Sequence, residues 1–336
     1  MGASEHDLSA GGGILDRVRQ CARAALTEYD CHPDSTVELL NVSENATFLV
    51  TDPDNGLSVL RVHRLGYHTE QEIASELAWM DALRAEAGVR TPRVLAARDG
   101  RRVVIVPEPG GASRHCVRFE FLPGAEPAES AADGPAHFAE LGELTARMHE
   151  HARQWRRPGW FTRFHWDYPA AFGEQARWGR WQDGAGVGPS EREILGRLDR
   201  TLRRRLAAFG TGPERYGLVH ADTRLANLLV HDGAVSVIDF DDSGFSWYLY
   251  DLGTSVSFFE HDPMVPALID SWLTGYRAHG RITAADQAEI WTFILFRRLL
   301  LVAWIGSHQA VDIAAELGAG YTRDSCDLAE WYLSTH

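Results

Sequence analysis

The 336-residue sequence predicts an α+β fold in two lobes, a small antiparallel β-sheet lobe followed by a mostly helical one. Three observations carry this. Short β-branched and apolar runs separated by turn clusters are concentrated before residue 122. Helical periodicity dominates after it. Between the two regimes lies LPGAEPAES, a Pro/Gly/Ala stretch that reads as a lobe boundary. The expected organisation is a flexible polar leader over 1–12, an N-terminal lobe over 13–121 and a C-terminal lobe over 122–336.

The elements follow in order. Ile14, Leu15, Val18, Cys21, Ala22 and Leu26 fall at helical spacing and predict an amphipathic helix over 13–29. Runs at 37–40, 46–51 and 58–63, divided by NVSEN and DPDNG, predict three antiparallel strands. Ile73, Leu77, Met80 and Leu83 predict a helix over 70–87, with Thr69 as N-cap and Glu72 completing a capping box. Further strands are expected at 94–97, 102–106 and 116–121. Helices are expected over 138–153, 190–209 and from 266 to the C-terminus. The segment 155–188 is dense in aromatic and turn residues, and reads equally as a packed insertion or as a wall facing a substrate.

Composition narrows the function. With 45% hydrophobic and 24% charged residues the chain reads as a soluble globular protein. No apolar segment follows the start, so a cytoplasmic location is expected. The apolar run 293–305 carries Arg297 and Arg298 in its middle and predicts a buried helix, with no membrane association. Cys21, Cys31, Cys116 and Cys326 have neither disulfide-framework nor metal-cluster spacing. A formal charge of −14 disfavours nucleic acid as a partner and suits a cationic substrate, although surface solubility explains it as well. All 33 basic residues other than histidine are arginine, so any cation the chemistry needs is Arg, His or a metal.

The chemistry concentrates between 219 and 251. HADTRLANLLV, the turn HDG and AVSVIDFDDSG predict a β-hairpin with Asn227 entering it and Asp239 leaving it. Strand pairing then sets an amide oxygen beside a carboxylate, a donor pair that suits Mg²⁺ together with phosphate oxygens and water. Asp222, five residues before Asn227, stands on the loop entering the hairpin, where it can orient a hydroxyl.

This segment resembles a known family. His220-x-Asp222-x4-Asn227 followed by Ile238-Asp239-Phe240 is similar to the catalytic loop and metal-binding aspartate of protein kinases, in the variant used by aminoglycoside phosphotransferases and by choline, homoserine and fructosamine kinases. The resemblance implies a protein-kinase-like fold and transfer of the γ-phosphoryl of ATP or GTP, with Mg²⁺, to a small hydroxylated molecule. It implies Asp222 as base, Asn227 and Asp239 as metal ligands, His220 as a structural brace and Asp251 as the buried anchor of the loop. Asp241 replaces the glycine of the kinase motif and is a candidate third metal ligand. Arg224 matches the catalytic-loop lysine and is a candidate clamp on the transferring phosphoryl. Ala221 stands where many protein kinases carry an arginine, and the stretch 239–251 is too short for an activation loop, so control by loop phosphorylation is not expected.

The same resemblance makes 13–121 the nucleotide-binding lobe. Arg61 falls where the family has its nucleotide lysine and Glu76 where it has the ion-pair partner; a planar guanidinium cannot reproduce the lysine geometry. Backbone N–H groups of Ser43, Glu44 and Asn45 would replace a glycine-rich loop. The backbone of 116–122, at Glu120 and Leu122, would hold the adenine. Asp167, Trp166, Glu260, His261 and Trp304 are candidates for the acceptor pocket, with antibiotics, amino sugars and amino alcohols as acceptor classes. Two alternatives stand beside this reading: a bacterial Ser/Thr protein kinase of the same fold, and a nucleotide-binding pseudokinase scaffold, against which retention of Asp222, Asn227 and Asp239 argues. Either a monomer or a homodimer is expected.

Overall fold

The structure is a computed structural model, and it describes residues 12–42, 45–108, 111–127, 134–309 and 311–336. Most of the expected leader lies outside these residues. The first lobe is one antiparallel sheet of β1 (Thr36–Val42), β2 (Ala46–Asp52), β3 (Gly56–Val62), β4 (Val94–Leu95), β5 (Val104–Pro107) and β6 (Ser113–Glu120), ordered β1-β2-β3-β6-β4 with β5 also on β6. Alternation decides its faces. Ala46, Phe48 and Val50 of β2 and Leu60 and Val62 of β3 are buried against α1 (Gly12–Leu26), whose Val18, Cys21, Ala22 and Leu26 supply the apolar stripe.

α2 (Glu70–Ala82) begins at the predicted capping box. Thr69 Oγ1 accepts from the Glu72 N–H at 3.2 Å and Glu72 Oε2 accepts from the Thr69 N–H at 2.8 Å. One π-helical turn, Leu83–Ala87, closes it, and Gly88 at φ 65° ends it in the left-handed region. The helix is pinned by the aromatic segment of the second lobe: Ser75 Oγ accepts from the Thr162 N–H at 3.0 Å, and Gln71 Nε2 donates to Trp160 O at 2.5 Å.

The second lobe contains α3 (Gly134–Gln154), α4 (Tyr168–Phe172), α5 (Pro189–Phe209), α6 (Tyr248–Ser255), α7 (Val265–Tyr276), α8 (Ala284–Gln287), α9 (Ile290–Ser307) and α10 (Asp312–Thr335). It also holds two ribbons. β8 (Leu228–His231) pairs with β9 (Ala234–Val237), and β7 (Tyr216–Val219) pairs with β10 (Gly244–Trp247). α3 and α7 pack at close range because each presents a glycine. A Cβ on Gly142 would lie 2.1 Å from Trp272 O, and one on Gly275 would lie 1.7 Å from Ala139 O. α9 is the centre of this core, with its residues from 292 to 305 buried, which matches the expected buried helix.

Several boundaries differ from expectation. The strand expected at 94–97 shrinks to two residues, and the terminal helical stretch breaks into four helices with a further kink at Gly318 (φ 44°, ψ −138°). The hairpin is shorter than expected: 220–227 stay outside β8 as a loop and the short turn Leu225–Asn227, and 238–243 leave β9 as loop and turn. Trp166 and Trp181 are buried in the core, so much of the aromatic segment is packing, while Trp178 is buried and also borders the cleft.

Candidate active site

The two lobes enclose a cleft of about 520 Å³. Its floor is the β8–β9 hairpin, where the turn Asp232-Gly233 takes φ 50° and 73°, as a type I′ turn requires. The ladder continues one step past the strands, since the Ile238 N–H donates to Asn227 O at 2.9 Å. Asn227 ends the short turn Leu225–Asn227, and Asp239 lies two residues past β9, so pairing brings them together as expected.

Two residues here hold uncommon backbone. Ala221 has φ 68° and Asp239 φ 60°, left-handed conformations that persist only when surroundings fix them. The surroundings are explicit. Asp251, fully buried in α6, accepts from the Ala221 N–H at 2.7 Å and the His220 N–H at 3.1 Å, and faces His149 Nε2 at 2.8 Å. His220 Nδ1 accepts from the Asp222 N–H at 3.3 Å, which leaves Nε2–H to donate to Ile238 O at 3.1 Å. Phe240 is buried between the His220 ring (4.5 Å) and the Trp79 ring of α2 (5.5 Å), and so fixes the turn that presents Asp239.

Asp222 is therefore aimed by its loop. Asn227 Nδ2 donates to Asp222 Oδ2 at 2.8 Å and to its carbonyl at 2.8 Å, which leaves the Asn227 Oδ1 as acceptor. Arg224 Nε donates to both carboxylate oxygens at 3.2 and 3.3 Å, and Arg297 Nη2 to Oδ1 at 2.8 Å. Burial opposes ionisation, but Arg224 and Arg297 hold the Asp222 carboxyl below the usual range. Arg224, expected on the phosphoryl group, here lies on the Asp222 carboxylate.

Arg61 and Glu76 meet as expected: Nη2 to Oε1 is 2.5 Å, and Arg61 Nη1 lies 3.7 Å from Asp239 Oδ1. Burial works against the Arg61 charge, but Glu76, Asp241 and Asp239 outweigh it and raise its pKa. Enclosure by the two lobes pushes Asp239 up to about 7, Arg61 pulling the other way and Asp241 and Asp222 adding to the rise. Its side chain is 52% exposed to cleft water, which moderates that rise. An open carboxylate raised by neighbouring negative charge is what a divalent cation relieves. Among the described residues no three His, Cys, Asp or Glu side chains form a metal cage, so Asn227 Oδ1 and Asp239 would leave the other positions to phosphate and water, a donor set that fits Mg²⁺.

Asp241 differs from its neighbours. Its side chain is buried, and its oxygens lie 3.5 Å from His63 Nδ1 and 3.4 Å from His68 Nε2. Arg163 reaches across from the aromatic segment, donating to Asp241 O, to Ser243 O at 2.5 Å and to Glu72 O at 3.0 Å. One buried guanidinium thus ties α2 to the segment after Asp239. Asn45, Glu120 and Leu122 line the cleft; Ser43 and Glu44 lie outside the described residues. Of the acceptor candidates, Trp304 lines the cleft. Trp166 is buried and donates to Asp242 O at 2.8 Å, Asp167 caps α4, Glu260 pairs with Arg298, and His261 is exposed.

Arg297, His63, His68 and Arg163 were not legible as site residues. Arg297 had one usable signal: paired arginines in an apolar helix need buried partners, and one such partner is a carboxylate of the site.

Three buried imidazoles make stability depend on pH. Burial pushes His63 down to about 4 and lowers His149 and His220. Unfolded, each takes up a proton near the ordinary value of about 6.5. Above that pH the folded state keeps its full advantage; below it the unfolded chain binds the extra protons and gains. Linkage limits the loss to about 1.4 kcal/mol per histidine per pH unit, and proton uptake by the raised Asp239 carboxyl works the other way, so urea unfolding of Asp239→Asn, which lacks that uptake, should show a drop on the order of 3 kcal/mol from pH 7.5 to 5.5. Constant stability over that range would contradict the neutral assignments.

A two-lobed fold with this loop, hairpin and Arg61–Glu76 pair defines a kinase-like phosphotransferase. The sequence pattern of the phosphotransferase enzyme family (APH) matches residues 36–285, and the chain belongs to that family. It is 26% identical over 288 residues to the amicoumacin kinase of Bacillus subtilis (strain 168), covering 81% of each chain. The solved structure of a microcompartment-associated aminopropanol kinase is 50% identical, with a TM-score of 0.87 over 94% of this chain and 98% of that one. The amicoumacin kinase hAmiN, solved with AMP-PNP, Ca²⁺ and Ami, shares the fold at 22% identity and a TM-score of 0.76, over 94% of this chain and 96% of that one. The chain is a phosphotransferase acting on small molecules.

Proposed function

We propose that this enzyme transfers the γ-phosphoryl group of ATP, with Mg²⁺, to the hydroxyl of a small amino alcohol. The observation that carries the acceptor class is the 50% identity, across nearly the whole chain, to a protein described as an aminopropanol kinase. The cleft supports it. Seven carboxylates and three guanidiniums line it, a balance that favours an acceptor bearing an ammonium group.

In this reading Val59, Met80, Phe119, Leu229 and Ile238 cover the faces of the adenine, and the backbone at Glu120 and Leu122 holds its edge. Arg61, kept in place by Glu76, faces the phosphates. Asn227 Oδ1 and Asp239 hold Mg²⁺, which neutralises the phosphate oxygens when bound. Asp222 orients the acceptor hydroxyl and takes its proton as the new O–Pγ bond forms and the bond from Pγ to the bridging oxygen breaks, releasing ADP. Asp241, facing His63 and His68, stands behind the metal ligands as a buried charge.

Coupled ADP release with ATP and Mg²⁺ tests the acceptor. The panel holds aminopropanol, other amino alcohols, matched alcohols without the amine, an amino sugar, amicoumacin and a protein substrate. We expect amino alcohols to give the highest kcat/KM, at least about 10-fold above their amine-free counterparts, a difference of about 1.4 kcal/mol. A higher value with amicoumacin would replace the acceptor class, and labelling of the protein alone would restore the protein-kinase alternative.

A further inference from the structure

α9 carries two adjacent arginines within an otherwise apolar run, and a buried guanidinium is costly without partners. Their environments diverge. Arg298 is enclosed by Glu260, by Ser325 Oγ at 2.8 Å and by the Tyr321 ring, a closed cluster away from the cleft lining. Arg297 instead borders the cleft. Its Nε donates to Ser257 Oγ at 3.2 Å and its Nη1 to Tyr250 OH at 3.2 Å, and its guanidinium lies 5.1 Å from the centre of the Trp178 ring. With two corners fixed and one face covered, the remaining Nη2 is directed at Asp222 Oδ1, 2.8 Å away.

We propose that Arg297 is a positioning residue for phosphoryl transfer, fixing the plane of the Asp222 carboxylate from the core helix while Asn227 fixes it from the loop. The inference rests on the assignment of Asp222 as base. One oxygen is held by Arg297 and the other by Asn227, 75 and 5 residues away in sequence. Rotation of the carboxylate breaks one of these bonds, so the lone pair left for the acceptor hydroxyl keeps one direction. Phosphoryl transfer relies on alignment more than on a strong base, and a misplacement of about 1 Å can cost about 10²-fold in rate. Arg224 shares the carboxylate but is 30% exposed on a loop, whereas Arg297 is 3% exposed on a buried core helix, so the rigid constraint is the Arg297 contact.

The test measures kcat, acceptor KM and nucleotide affinity for Arg297→Met and Arg297→Lys, using the acceptor preferred by the wild type. We expect Arg297→Met to lose about 10²-fold in kcat with KM and nucleotide affinity within about threefold, and Arg297→Lys, which keeps charge without the planar fork, to fall between it and the wild type. Nucleotide affinity reports folding in each variant, and Arg297→Lys preserves the packing if the methionine variant does not fold. An unchanged kcat in Arg297→Lys, or a loss in Arg297→Met confined to KM, overturns the proposal. A wild type without turnover on any acceptor would instead contradict the functional reading and this role with it.

Discussion

Asp222→Asn is expected to lower kcat by about 10³-fold while nucleotide affinity stays within about threefold. The amide keeps the size of the carboxylate and loses its charge, its ability to take a proton, and one acceptor oxygen. Arg224 and Arg297 both donate to that carboxylate, so the substitution also leaves two guanidiniums without their anion. The nucleotide contacts proposed for Arg61, Asn45 and the 119–122 segment come from the other lobe and its junction with this one, and are untouched. Steady-state ADP release gives the first quantity and titration with a fluorescent nucleotide the second. Turnover above a tenth of wild type would remove Asp222 from its role.

Asp239→Asn should be nearly as damaging, and for a different reason. Asp239 is the open carboxylate at the phosphate end of the cleft, 3.7 Å from Arg61, held at a positive φ by the packing of Phe240. If Asn227 Oδ1 and Asp239 share Mg²⁺, removing the one charged ligand should abolish the Mg²⁺-dependent gain in nucleotide affinity and lower kcat by at least about 10²-fold. Nucleotide binding without Mg²⁺ should change little. Asparagine at 239 removes a raised carboxylate from an acidic cluster, so the metal-free protein should be at least as stable as wild type. Equal Mg²⁺ enhancement in the variant and the wild type would contradict the metal assignment.

Much of this site could be read locally. The hairpin is written in two apolar runs and an Asp-Gly turn, and its pairing alone brings Asn227 beside Asp239. The capping box at Thr69 fixes where α2 starts, and its period puts Glu76 on the face that meets Arg61. These features depend on residues a few positions apart. The parts that were not legible depend on long-range packing. Nothing near Arg297 indicates that α9 passes behind the Asp222 loop, nothing near His63 points to Asp241, and Arg163 sits in a segment with no period of its own. Strand lengths failed for a related reason: the run from 220 does not record that Asp251 and Thr254, about 30 positions on, take the N–H groups of His220, Ala221 and Thr223 and hold them as a loop.

The same long-range ties join the two lobes. Arg163 joins the Glu72 carbonyl of α2 to the carbonyls of Asp241 and Ser243, while Thr162 bonds Ser75. The helix carrying Glu76 is thus fastened to the segment carrying Asp239. These ties join the two segments through main-chain carbonyls and hydroxyls within the fold itself.

The central claim is phosphoryl transfer to the hydroxyl of a small amino alcohol, and ³¹P NMR of the wild-type enzyme with ATP, Mg²⁺ and aminopropanol tests it most directly. The account predicts one new phosphomonoester resonance that grows in step with ADP and is absent with Asp222→Asn. ADP accompanied only by inorganic phosphate, or a phosphoester formed equally fast by Asp222→Asn, would contradict it.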